Sequence, residues 1–196
     1  MFKRSSPLPR VYPTDDVIQL ASNDDKWLQR QLSFLACIYF EEVLDPEKLY
    51  NALEAVLSSS REWSYLAGRL RLDPKTKGLH VHVPQAFSKQ RPAFRYTFRD
   101  HSDTPIASSI PSAGFLSSLA SLSSSAVTLL PSESSIAHLF EDKASPKVLN
   151  DWISADMPIV SLHITSFRDS TCIGLKLPHC VADGGATRLL VAAWAL

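Results

Sequence analysis

The run Leu32 to Phe40, LSFLACIYF, is apolar almost without a break, and its length and aromatic content predict a buried strand. A shorter apolar run, Val17 to Leu20, precedes it and gives way to polar turn residues. After it, Asp45 and Pro46 supply an N-cap and a first helical residue. Leu49, Leu53, Val56 and Leu57 then fall at i, i+4, i+7 and i+8 and form one apolar face, which predicts a helix over about 46 to 59. The segments YLAGRLRLD and LHVHVP flank the polar turn KTKG and read as a β-hairpin. FRYTFRD, Phe94 to Asp100, reads as a further strand.

From Ser108 to Ser135 the pattern dissolves into serine mixed with Leu, Ala and Pro, a low-complexity insertion of partly helical character. ESSIAHLFED, Glu133 to Asp142, reads as a short helix in which His138 is surface or core filling. Order returns in MPIVSLHITSF, where Ile159, Ser161, His163 and Thr165 alternate with Val160, Leu162 and Ile164. CIGLKLPH follows across the turn RDST. A turn that short cannot return a parallel strand, so strands at about 159 to 167 and 172 to 178 pair antiparallel. ATRLLVAAWAL then forms a helix, since Ala, Leu and Arg dominate it and no Pro interrupts. The fold class that results is an α/β two-layer domain, a mixed β-sheet with helices packed on it.

Length and composition narrow the function. The 196 residues suit one domain with a sizeable core. Twenty basic and twenty acidic side chains cancel, and no run of Lys and Arg restores the basic footprint of a nucleic-acid binder. No apolar run reaches membrane-span length. MFKRSSPLPR has basic residues but no apolar core of a signal peptide, so no membrane partner and a cytoplasmic location are expected. Cys37, Cys172 and Cys180 are sparse and lack CxxC spacing, which speaks against a disulfide framework. His80 and His82 share a strand face, but without a third ligand in view they read as polar residues on a wet face, and no metal site is assigned.

The candidate chemistry lies in LPHCVADGG. His179 falls where a hairpin's second strand ends and a helix begins, a position anchored by backbone yet open to a cleft. Neutral histidine is the side chain best suited to take a proton at neutral pH. Asp183, four residues on, has three roles open to it: capping the next helix, holding the histidine's tautomer, or pairing with a distant cation. Gly184 and Gly185 let the chain turn tightly after the strand.

His179, Asp183 and Gly184 match the HxxxDG motif of CoA-dependent acyltransferases, and their surroundings resemble the plant and fungal BAHD family. MPIVSLHITSF and LKLPHCVADGGATRLLVAAWA resemble that family's strand, strand, HxxxDG, helix block. DPEKLYNALEAVLSSSREWSYLAGRLRL resembles its early helix and the signature that follows it, here Leu66 to Leu70. The resemblance implies one domain of a chloramphenicol-acetyltransferase-like pair. It implies His179 as general base on a hydroxyl or amine of a small-molecule acceptor, with acyl-CoA as co-substrate, no bound cofactor and no covalent acyl-enzyme. It makes Asp183 structural, directed away from substrate toward an arginine of the second domain, and makes Gly184 the residue that keeps the turn open. No cofactor-binding residues are assigned.

Residues 1–196 are accordingly expected to be the N-terminal domain, with the serine-rich insertion at about 108–135. The family's second half, with its DFGWG motif, is absent from the sequence. The family's Phe-x-Cys-Gly-Gly turn is FRDST in this chain. Leu189, Leu190, Val191, Trp194 and Leu196 crowd the C-terminal end, where an apolar helix face wants a partner in a missing C-terminal domain or a second subunit. Two alternatives stand beside this reading: a non-catalytic remnant or binding domain, and a peptide-synthetase condensation-like domain. The latter's double histidine is not met, because Pro178 precedes His179.

Overall fold

A computed structural model of the chain describes residues 11–109 and 136–195. In chain order the elements are β1 (Asp16–Gln19), α1 (Trp27–Gln31), β2 (Ser33–Phe40), α2 (Pro46–Ser59), α3 (Arg61–Ser64), β3 (Arg69–Leu72), β4 (Leu79–Val83), β5 (Arg95–His101), α4 (Ala137–Phe140), α5 (Leu149–Ile153), β6 (Ser161–Phe167), β7 (Thr171–Pro178) and α6 (Gly184–Trp194). The expected serine-rich insertion lies almost wholly outside the described residues. So does the start of the expected helix at 133 to 142, of which α4 is the observed part.

α2 forms where the sequence places it and for the same local reasons. The Asp45 side chain accepts from the amides of Glu47 and Lys48, and Pro46 occupies the first turn. Leu53 and Leu57, from the apolar face, are fully buried. The strands divide into two sheets. One is antiparallel with order β1-β4-β3 and contains the expected hairpin. The other has order β2-β7-β6-β5 and is mixed, since β5 runs parallel to β6 while the other pairs are antiparallel. Layered with helices, this is the α/β fold that the periodicity predicts.

Register explains why β6 and β7 are buried along their whole length. Ala36, Leu175, Leu162 and Tyr96 align across the four strands on one face. That face joins the main core, where Leu53, Leu57, Leu190 and Trp194 of the helices meet it. The Trp194 indole donates to the Leu49 carbonyl at 3.0 Å and so ties α6 to α2. β2, expected to be buried, is instead the outermost strand of its sheet and is only half-buried, with Cys37 and Phe40 exposed. An apolar run cannot distinguish a central strand from an edge strand with one covered face.

The opposite face is mixed, with a small apolar cluster that includes Leu139, Phe140, Phe167 and Cys172 beside a polar row. Cys37, Gly174, His163 and Thr97 align across it, with Leu35, Lys176, Ser161 and Arg95 in the next row of that face. Residues 136–145 cover this surface. Lys176 pairs with Glu141 at 2.6 Å and Arg95 with Asp142 at 2.7 Å. Gly174 is required by this packing, because a Cβ there would collide with the Phe140 carbonyl. His163 is buried between Thr97, whose hydroxyl is 2.7 Å from Nδ1, and Thr165, whose hydroxyl is 3.1 Å from Nε2.

Burial first, and the nearby Arg99 next, push the His163 pKa from its ordinary 6.5 down to about 4. A proton therefore binds the unfolded chain more tightly than the folded one. The stability carried by neutral His163 is fully present above pH 6.5, is lost as the pH falls, and levels off below about pH 4. The loss amounts to about 3 kcal/mol. Denaturant midpoints measured between pH 7.5 and pH 4 should show it, and His163→Gln should flatten that part of the profile. An unchanged profile in the variant would refute this role.

The second sheet carries a feature that the hydrophobic pattern does not announce. His82 is buried rather than on a wet face, whereas His80 on the same strand keeps part of its side chain exposed. Burial, then Arg71, lower the His82 pKa. Arg91 binds both oxygens of Asp15, at 2.9 and 2.8 Å, and reaches Asp156 at 2.8 Å. Arg71 also binds Asp156. Arg69 is fully buried, donating to the carbonyls of Ala67 and Pro92. Among the described residues no group of three or more His, Cys, Asp or Glu side chains is placed to hold a metal ion.

Candidate functional site

β7 delivers His179. Its last residue, Pro178, lies opposite Ser33 of β2, and the His179 amide adds one more rung by donating to the Leu32 carbonyl at 2.9 Å. The amides of Val181 and Ala182 then both donate to the Pro178 carbonyl, at 3.0 and 3.3 Å. These bonds close a tight turn directly after the histidine. Its backbone is therefore fixed on both sides, by a sheet and by a turn, while its side chain is half-buried.

The imidazole packs on the Phe34 ring, with centroids 4.6 Å apart and planes tilted by 45°. Nδ1 is buried and has no hydrogen-bond partner. That leaves Nε2 as the nitrogen a reactant can reach. The neighbouring thiol is no competitor as a nucleophile. Cys180 is buried, and burial first, then Asp25, push its pKa up to about 12, so the thiolate is scarce at neutral pH.

Of the three roles open to Asp183, the structure realises helix capping. Its carboxylate accepts from the Ala186 amide at 2.7 Å, and its carbonyl accepts from the Thr187 amide at 2.9 Å and hydroxyl at 2.8 Å. Among the described residues it makes no hydrogen bond to His179. Removing the cap in Asp183→Ala should cost about 1 kcal/mol, whereas Asp183→Asn, with an equally good cap, should cost little. Thermal melts of the two variants check this, and equal losses would overturn it.

Gly184 corrects an expectation. No glycine among the described residues has positive φ, so neither Gly184 nor Gly185 is needed for a tight turn. The turn is made by residues 179 to 181, and Gly184 already belongs to α6. Packing does not require glycine at Gly184 either, since a Cβ there would meet nothing within 4 Å. Together with Phe34, Ala36, Ile38, Thr187 and Val191, Gly184 lines an open apolar groove of about 350 Å³ between β2 and α6. Phe34 links this groove to the histidine. Sequence reasoning missed Phe34, for it sits in an apolar run with no chemical signal of its own.

The site thus holds a backbone-anchored histidine with one nitrogen buried, packed on a phenylalanine that also lines an apolar groove. Such an arrangement can accept a proton from a bound molecule. No helix among the described residues is long and apolar enough to cross a membrane.

No protein-family model matches the chain. It is 32% identical over 192 residues to the acetyltransferase adrJ of Penicillium roqueforti, and that match covers 96% of this chain and 36% of the relative. It is 35% identical to the acetyltransferase pyiB of Pyricularia grisea, covering 94% of this chain and 35% of that one. A third relative, 29% identical over 100% of this chain and 38% of its own length, is the transcriptional regulator calD of Penicillium decumbens. The chain spans little more than a third of the length of the curated relatives it matches. In fold it is similar to TRI101 of F. sporotrichioides in a complex with coenzyme A and T-2, with TM-score 0.52, 14% identity, and coverage of 92% of this chain and 41% of TRI101. It is equally similar to the condensation domain of the Monacolin K polyketide synthase MokA, with TM-score 0.54, 11% identity, and coverage of 91% and 33%.

Proposed function

We propose that this chain is the histidine-bearing, N-terminal part of a BAHD-type acyltransferase that moves an acyl group from acyl-CoA to a hydroxyl or amine of a small, secondary-metabolite-type molecule in the cytoplasm. One observation carries the reading: His179 stands at a strand end with Nδ1 buried and Nε2 left to a reactant, beside an apolar groove. The names of the relatives adrJ and pyiB, and the coenzyme A bound to TRI101, support the same chemistry.

In this reading Nε2 takes the proton of the acceptor O–H or N–H as that atom attacks the thioester carbonyl. The resulting oxyanion collapses, the carbon–sulfur bond breaks, and the coenzyme A thiolate leaves with the proton returned from the imidazolium. Both half-steps need only one base that turns acid, so the buried, protonated thiol of Cys180 has no part in them. Asp183 serves by capping α6, which Gly184 begins.

The test is thiol release from a panel of acyl-CoAs with alcohol and amine acceptors. Joined to the remaining length of its relatives, the protein is expected to turn over. Alone, it is expected to show no transfer above its own His179→Ala variant. Positioning of the two reactants is worth about 7 to 11 kcal/mol and needs both walls of a channel. Robust His179-dependent turnover by the chain alone would instead point to a second copy supplying the missing wall.

A second reading, a non-catalytic domain, is favoured by the names of two relatives, the transcriptional regulators calD and sdnM. Absence of thiol release from the joined protein with every acyl-CoA would support it. The fold alone fits the condensation-domain architecture equally well, and an acceptor tethered to a carrier rather than free would mark that case.

A further inference from the structure

The helices pack over the middle of the four-stranded sheet and leave a hollow near each of its edges. On the β2 side, the groove under α6 belongs to the site already described. On the β5 side, a second cavity of about 480 Å³ opens between α2, β5 and the segment that follows β4. Ala36 and Tyr96 stand at the two ends of one row of the sheet, one in each hollow. The hollows are therefore separated by three strand spacings, roughly 14 Å, and they share no lining residue.

Four aromatic rings line the second cavity, those of Tyr50, Phe87, Phe94 and Tyr96. The Tyr50 ring lies 4.7 Å from that of Phe94 with planes tilted by 47°, and 5.2 Å from that of Tyr96 at 72°. Rings at such angles form a corner rather than a stack. Phe94 is fully buried, as a core residue is, but Tyr50, Phe87 and Tyr96 are only half-buried. The Tyr50 hydroxyl donates to the Glu54 carboxylate at 3.3 Å, and half-buried Glu54 lines the same cavity. Asp45 and Glu47 line an adjoining hollow that shares Tyr50 and Tyr96 as walls. Against these three carboxylates the lining brings the ammonium of Lys89, which is exposed and sits on a long side chain that can turn to water.

The cavity has the size of a small-molecule site. The electron-rich faces of aromatic rings attract a cation, and a half-buried carboxylate beside them adds a counter-charge. A quaternary ammonium group suits such a lining best, because its charge is spread over methyl groups that need no hydrogen-bond acceptor. We propose that the cleft between α2 and β5 binds a small organic cation, with a quaternary ammonium group seated on the Tyr50 and Tyr96 rings and Glu54 as its counter-charge. This site is separate from acyl transfer and does not depend on the role of His179.

The test needs neither coenzyme A nor further chain. The purified protein is titrated with choline and, in parallel, with its uncharged carbon isostere, in which a tert-butyl group replaces the trimethylammonium group. The readout is the proton NMR signal of the probe's methyl groups, which aromatic rings shift upfield. Choline should bind with a Kd of about 1 mM, within what so few atoms can supply, and the isostere about tenfold more weakly. Tyr96→Leu and Glu54→Gln should each weaken choline binding by about the same factor. Phe34→Leu, in the other groove, should leave it unchanged. Melting temperatures report whether each variant is folded, and Glu54→Gln, which removes a charge without changing volume, serves where Tyr96→Leu does not fold. Equal affinity for the two probes overturns the proposal. So does choline binding that persists unchanged in a folded Tyr96→Leu or Glu54→Gln, binding lost in a folded Phe34→Leu, or no binding at concentrations well above that Kd. Benzoate bound more tightly than choline would also overturn it and give the cavity to anions through Lys89.

Discussion

His179→Ala is expected to lower acyl transfer by about two to four powers of ten in a protein completed to the length of its relatives, the usual contribution of a positioned general base. Acyl-CoA affinity should change little, because the imidazole acts on the acceptor's proton and is not the grip on coenzyme A. The fold should survive, since the half-buried side chain makes no hydrogen bond and the backbone anchors at Leu32 and Pro178 do not depend on it. Single-turnover rates with saturating acyl-CoA, set beside the acyl-CoA dissociation constant of each protein, separate the two effects. A variant within a factor of a few of the parent, or one that loses acyl-CoA binding instead, would remove His179 from the role of base.

Asp156→Asn is expected to destabilise the domain by about 3 kcal/mol, at the lower end of the cost of leaving buried charges without their partner, since Arg69 and Arg71 are buried although the carboxylate itself is partly exposed. Three guanidinium groups converge on this carboxylate. Arg71 hydrogen-bonds it, Arg91 reaches it at 2.8 Å, and the Arg69 Nε lies 4.0 Å away. Arg69 has no solvent exposure, and burial pushes its pKa down to about 10 against the opposing pull of Asp156. Without that charge, Arg69 and Arg71 are left inside with carbonyl oxygens as partners. Asp15 cannot replace it, because both of its oxygens are held by Arg91. For a domain of this size the loss corresponds to a melting temperature lower by about 10 °C. Asp156→Glu should recover part of it. A change below about 1 kcal/mol would show that solvent, reaching the partly exposed carboxylate, already does most of its work.

These two residues differ in how far the sequence reveals them. His179 is announced by its spacing to Asp183 and Gly184 and by its place between a hairpin and a helix. Asp156 sits in an unremarked stretch, SADMP, and gains its importance from arginines that are distant in sequence. The resemblance at Leu66 to Leu70 drew attention to that segment as a signature, yet gave no hint that Arg69 would be wholly buried. The wet-face reading of His80 and His82 failed at His82 alone, which is buried while His80 stays partly exposed. Alternation along β4 shows that the two side chains share a face, and only the packing of remote segments decides that His82 is covered.

What the sequence determined by itself is the set of features whose energy is local. Asp45 and Pro46 start α2 and the four apolar positions choose its buried face, because these effects act within one or two turns of chain, whereas for Asp183 the sequence offered the α6 cap as one of three roles. The short RDST connection likewise forces β6 and β7 to be antiparallel. The tertiary structure decided everything that depends on pairing between remote segments. It placed β2 at the edge and β6 and β7 at the centre, ran β5 parallel to β6, and enclosed His163 under residues 136–145. It also brought Phe34 from the second strand onto His179 at the end of the seventh. Backbone hydrogen bonding between strands is nearly indifferent to sequence, so neighbours across a sheet are selected by how all the apolar faces close together. That selection belongs to the whole chain, and no single stretch of it carries the answer.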